Sequence, residues 1–111
     1  MKKVPVLLAS LTLAMATSLA NAEARGGEEI YQKACMACHA NGAAGAPKTG
    51  DAAAWEARVA ARGADGMLAT VKTGKLGGDG NPIAMPPMAM CMDCTDEEFQ
   101  AVIDYMSAQP E

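Results

Sequence analysis

The chain has 111 residues, with 9 basic and 13 acidic side chains and a formal net charge of −4, a balance that excludes a nucleic-acid partner. Only four residues are aromatic, few for the core of a small domain whose surface-to-volume ratio already makes it marginal. A buried apolar cofactor would supply the missing filling.

Met1-Lys2-Lys3 opens the chain, a nearly uncharged run follows from Val4 to Leu19, and Ala20-Asn21-Ala22 forms a small-x-small cleavage site, the pattern of an export signal. The apolar run is shorter than the roughly 20 residues a spanning helix needs. Residues 1–22 are therefore expected to be a signal peptide directing the protein to the periplasm, and residues 23–111 a single domain. Losing Lys2 and Lys3 leaves seven basic side chains against the same 13 acidic ones, a net charge of −6. An acidic surface of this kind is either simply solubilising or steers the protein towards basic partners.

The first expected helix runs from Glu28 to Ala37, with Ile30, Ala34 and Ala37 on one side and Glu28 and Glu29 favourably placed at its positive end. It leads directly into Cys35-Met36-Ala37-Cys38-His39. Cys-x-x-Cys-His is the pattern of covalent haem attachment, in which the thiols add to the porphyrin vinyl groups and the histidine ligates iron. His39 is the only histidine. The same string is compatible with a zinc site or a redox dithiol.

Asn41 to Gly50 is a loop by its Gly, Pro and Ala content, and Pro47 within it offers a carbonyl that could accept from the second ring nitrogen of His39. Asp51 is placed to cap a helix ending at Gly63, and Asp65 one stopping near Gly74. Trp55 and Arg58 on the former are candidate contacts for haem propionates or for the surroundings of the ligands.

From Lys75 to Cys94 stretch 20 residues rich in Gly, Pro and Met, longer than an idle connection in a compact domain. A histidine-bound haem iron has a second axial position for which a thioether is suited. Met85 is the preferred donor, because Pro86 and Pro87 restrict the backbone behind it. Met88 is second, Met90 and Met92 fit adaptable apolar packing, and Met67 and Met106 fit helix core faces. The spacing of Cys91 and Cys94 permits a tight local disulfide, consistent with an oxidising compartment.

Thr95-Asp96-Glu97-Glu98 is a capping box, and Phe99, Val102, Ile103 and Met106 follow at helical spacing. That apolar face is expected to pack across the first helix. Strand signals are almost absent, so the fold class is all-α.

Residues 28–106 resemble a class I cytochrome c, specifically the bacterial cytochrome c5 group. The likeness rests on Glu28-Glu29-Ile30-Tyr31, the haem motif, Ala46-Pro47-Lys48, Ala54-Trp55-Glu56, Ala84-Met85-Pro86-Pro87, Cys91-x-x-Cys94 and the capped last helix. The resemblance implies a small cytochrome c fold of about four short helices around one covalent haem c. It also implies Cys35 and Cys38 as attachment points, His39 and Met85 as axial ligands of the iron, Pro47 as acceptor from His39, and a Cys91–Cys94 disulfide.

The function expected is that of an exported one-electron carrier, not an enzyme, between a membrane respiratory donor and a terminal oxidase, reductase or peroxidase. Any membrane association would be through such partners. The alternatives are a four-cysteine zinc module built from Cys35, Cys38, Cys91 and Cys94, and a dithiol oxidoreductase, which would require a βαβ pattern that the sequence lacks.

Overall fold

The computed structural model describes residues 23–76 and 85–108. The expected signal peptide lies outside the described residues, as do Gly77, Gly78 and Gly80 of the Met-rich stretch. Among the described residues no named strand occurs, only an isolated bridge between Lys75 and Met85.

Helix α1 (Gly27–Ile30) continues through a π-helical turn (Tyr31–Cys35) into α2 (Met36–His39). The π turn changes the expected face. The buried residues are Ile30, Cys35 and His39, at intervals of five and four, whereas regular helical spacing pointed to Ile30, Ala34 and Ala37. The wider turn rotates Cys35 inwards and leaves Ala37 exposed.

Helix α3 (Ala52–Thr73) begins at Asp51, whose carboxylate accepts from the Ala54 amide at 3.2 Å. It breaks at Gly63, where φ is 66° and ψ is 175°, as the glycine led one to expect. Asp65 accepts no capping hydrogen bond among the described residues, so the second half of α3 starts without the cap expected of it. It ends at Gly74, whose amide donates to the Thr70 carbonyl.

Helix α4 (Asp96–Ala108) carries the expected capping box in both directions. The Glu98 amide donates to Thr95 Oγ1 at 3.2 Å, and the Thr95 amide donates to Glu98 Oε2 at 2.9 Å. Phe99, Val102, Ile103 and Met106 are all buried. They form the core with Ile30, Trp55, Met67 and Val71. The helices α1 and α4 cross closely at Gly27, where a Cβ would run into the Ala101 carbonyl and lie 2.8 Å from Tyr105 Cβ. Next to this crossing Tyr31 and Tyr105 pack with ring centroids 5.3 Å apart.

An ionic cluster joins the ends of the domain. Arg25 donates through Nε to Glu98 at 2.7 Å and through Nη1 to Asp93 at 3.1 Å, and Lys33 Nζ reaches Asp93 at 2.8 Å. The Arg25 guanidinium holds the carboxyl of Glu98 well below the usual carboxylate range, helped by the Thr95 amide. The hydrogen bond from Lys33 does the same for Asp93.

Candidate haem site

A cavity of about 340 Å3 opens between the motif helix, α3 and the segment after Met85. Its walls are largely apolar, with Met67, Val71, Ala89 and Ile103 among them, and they bring together Cys35, Cys38, His39, Pro47, Trp55, Arg58 and Met85. These residues span 51 positions in sequence, and the fold gathers them on one chamber.

Cys35 and Cys38 are free thiols, the first buried and the second half-buried. Burial, reinforced by the neighbouring Cys38, pushes the Cys35 thiol up to about 11. His39 is buried, and its Nδ1 lies 2.8 Å from the Pro47 carbonyl oxygen. A carbonyl can only accept, so Nδ1 carries the proton and Nε2 keeps its lone pair free for a metal. The Thr49 amide bonds the His39 carbonyl at 2.8 Å and fixes the same loop from the other end.

Trp55 stands beside His39, with ring centroids 5.7 Å apart. Its indole N–H donates to the Lys48 carbonyl at 2.7 Å, so it presents ring surface to the cavity while its donor pins the loop that holds Pro47. Arg58 donates through Nη1 to the Ala54 carbonyl one turn back at 2.8 Å. Its other guanidinium nitrogens remain available at the wall.

Met85 is held by backbone rather than by its side chain. Its amide donates to the Lys75 carbonyl at 3.0 Å, and its carbonyl accepts from the Lys75 amide at 2.9 Å. Gly74 makes this approach possible: a Cβ there would sit 2.7 Å from the Met85 carbonyl oxygen and 2.9 Å from the Pro87 nitrogen. The sequence marked Gly74 only as a helix stop. A glycine that ends a helix and one that admits a second backbone look alike in sequence.

Beyond Pro87 the chain makes a 3-10 turn, Pro87–Met90. Met88 packs against the core without lining the cavity. Met90 and Met92 depart from the expected apolar packing, being 78% and 76% exposed. Cys91 and Cys94 are joined in a disulfide. That pairing leaves the four-cysteine zinc alternative without its ligand set.

The donor set fits haem: two thiols and a histidine with one free nitrogen on the motif helix, a thioether on a fixed loop, and an apolar chamber between. Residues 22–106 match the family model described as cytochrome c oxidase, cbb3-type, subunit III. The chain is 45% identical over 85 residues to cytochrome c5 from Azotobacter vinelandii, covering 76% of this chain and 94% of that one. The chain belongs to the class I c-type cytochromes, in the cytochrome c5 group.

This cytochrome carries one covalently bound haem c with its iron, and it transfers electrons rather than converting a substrate. Its fold is that of the mono-heme ferrocytochrome c from Shewanella putrefaciens, with a TM-score of 0.63 and 46% identity over 78% of this chain and 96% of the other. A chain in the crystal structure of the electron transfer complex of nitrite reductase with cytochrome c gives a TM-score of 0.59 at 43% identity, covering 73% and 89%. The cytochrome's Arg62 and Lys75 also line the cavity. Neither was singled out from the sequence, although Arg62 follows Arg58 at a spacing of four and so shares its face of α3.

Proposed function

We propose that the protein is exported by residues 1–22 and works in the periplasm as a one-electron carrier. Its electrons come from a membrane respiratory donor and go to a terminal oxidase, reductase or peroxidase. Cys35 and Cys38 would tether the haem, and His39 Nε2 and the Met85 sulfur would hold its iron. When bound, the haem supplies an iron that alternates between ferric and ferrous states.

The observation that carries this reading is the pair of backbone hydrogen bonds between Lys75 and Met85. They keep a thioether on the same chamber as a histidine whose free nitrogen is already selected by Pro47. With His39 and Met85 both holding the iron, the haem would have no open site for an exogenous ligand. Arg58 is assigned to a haem carboxylate, and Trp55 to packing beside His39. A reductase as acceptor is supported by the relative crystallised with nitrite reductase.

The test is the spectrum of the exported, haem-loaded protein and of Met85→Ala. The wild type is expected to be low-spin in both oxidation states, with the ferric sulfur-to-iron charge-transfer band present. The variant should lose that band and become able to bind small exogenous ligands. A high-spin wild type, or a variant spectrally identical to it, overturns the ligand assignment.

A further inference from the structure

Two methionines turn most of their surface to solvent. Residues 23–111 contain seven. Of these, Met67 and Met106 are buried, and Met85 and Met88 are half-buried against the core. Met36 is 47% exposed, whereas Met90 and Met92 are 78% and 76% exposed. Met92 has no part in the cavity, and Met90 meets it with only a small share of its surface. Between the two, Cys91 is buried and held in its disulfide.

Ordered structure on both sides holds them outwards. Met88, Ala89 and Met90 have φ of 57°, 47° and 62°, and three successive side-chain-bearing residues in the left-handed region are disfavoured. The turn buries Ala89 and is closed by the Ala89 amide on the Pro86 carbonyl at 3.1 Å and by the Cys91 amide on the Met88 carbonyl at 2.8 Å. Beyond Met92, Asp93 is fixed by Lys33 and Arg25. An exposed apolar side chain on a disfavoured backbone gains nothing from packing. What methionine offers there that leucine would not is the thioether, a soft sulfur open to oxidation, with a susceptibility that follows exposure.

We propose that Met90 and Met92 are oxidation sites of the cytochrome, at which a hypohalous acid adds one oxygen to each sulfur before the Met85 thioether is attacked. At each site the sulfur gains an S–O bond as the O–Cl bond of hypochlorous acid breaks. Sulfur gives up two electrons, chloride leaves and the proton passes to solvent. The two sites act by competition: oxidant consumed at an exposed sulfur is no longer available to a shielded one. The order of attack on Met90 and Met92 follows from their exposure alone. The sparing of Met85 rests also on its proposed role as ligand, which commits a sulfur lone pair to iron.

The experiment titrates the ferric holoprotein with hypochlorous acid at neutral pH and quenches with free methionine. The sulfur-to-iron band is then read, and fragment-ion mass spectrometry assigns the added oxygen residue by residue. At about one equivalent of oxidant, Met90 and Met92 are each expected to hold about five-fold or more the sulfoxide of Met85 or Met106, with the band retained. Met90→Leu/Met92→Leu keeps the apolar bulk and removes the sulfurs, so half-loss of the band should come about two equivalents earlier. Met106→Leu, a change at a buried sulfur, is expected to leave that point where it is. Sulfoxide at Met85 ahead of Met90 and Met92 overturns the proposal, as does a half-loss point unmoved in the double variant or moved equally by Met106→Leu. An unoxidised wild type without the band fails the ligand assignment instead, a result read before any oxidant is added, and the sulfoxide map then still decides whether Met90 and Met92 are the sites.

Discussion

Replacing Gly74 by alanine tests the link between backbone packing and the thioether ligand. Gly74 sits at φ 77°, ψ 175°, a region essentially restricted to glycine, where another residue costs about 1–3 kcal/mol. Its new Cβ would lie 2.7 Å from the Met85 carbonyl oxygen, 2.9 Å from the Pro87 nitrogen and 3.1 Å from the Pro86 carbonyl carbon. All three are backbone atoms, so no side-chain rotamer relieves the contact. The strands of chain must separate, and the two Lys75–Met85 hydrogen bonds lengthen or break, each with a net value of about 1 kcal/mol. Together the expected loss is about 3–5 kcal/mol, a large share of the roughly 5–15 kcal/mol that holds a small domain. Denaturant titration of the haem-loaded protein measures this loss. The ferric sulfur-to-iron band, followed in the same samples, should weaken at denaturant concentrations where the helices persist. A Gly74→Ala protein that keeps the band at full intensity and loses less than about 1 kcal/mol refutes the reasoning, since either outcome would mean that the loop accommodates a Cβ cheaply.

Ala44→Gly should stabilise the protein by about 0.5–1 kcal/mol, because Ala44 is exposed at φ 53° and the left-handed penalty exceeds the entropy cost of a glycine; an unchanged denaturation midpoint contradicts it. Trp55→Phe should cost about 1–2 kcal/mol by leaving the Lys48 carbonyl without its indole donor, with haem content retained; loss of haem would give Trp55 a larger part than pinning the loop. For acid stability, Arg25 holds Glu98 below its ordinary value of 4.5. A carboxyl lowered on folding contributes stability that is complete above pH 4.5 and is lost as pH falls towards its lower folded value. Glu98→Gln keeps an oxygen for the Thr95 amide but removes the charge, so its stability should be lower at neutral pH and flatter in acid; parallel curves for the two proteins would refute the assignment.

The last helix was legible because its signals are local and agree with one another: Thr95 and Glu98 cap it, and Phe99, Val102, Ile103 and Met106 share one face. The haem motif is equally local, being five contiguous residues. The two halves of α3 were marked by Gly63, whose positive φ follows from its missing side chain. What escaped was set by contacts between distant segments. The π turn at Tyr31–Cys35 is absent from any local propensity, and it emerges where Ile30 must pack on α4 while Cys35 faces the cavity. The pairing of Lys75 with Met85, the entry of Arg62 and Lys75 into the cavity wall and the outward turn of Met90 depend on how two chain segments meet. Net charge is silent on such placements, since a sum over residues carries no information about where they lie.

The two proposed axial ligands are held by different kinds of structure, and that difference bears on how the site fails. His39 is fixed within ten residues, by its motif helix, the Pro47 carbonyl and the Thr49 amide. Met85 depends on Gly74 and Lys75, about ten residues away in sequence, and on the turn and disulfide that follow. A thioether ligand is neutral and soft, so the protein's hold on its backbone does more of the positioning than attraction to iron would. Perturbations that loosen long-range packing should therefore release Met85 first, leaving His39 and the thioether-linked haem in place. The order is checked by heating the ferric protein and comparing the sulfur-to-iron band with the helical signal: loss of the band at lower temperature supports unequal anchoring, and coincident loss argues that both ligands belong to one cooperative unit.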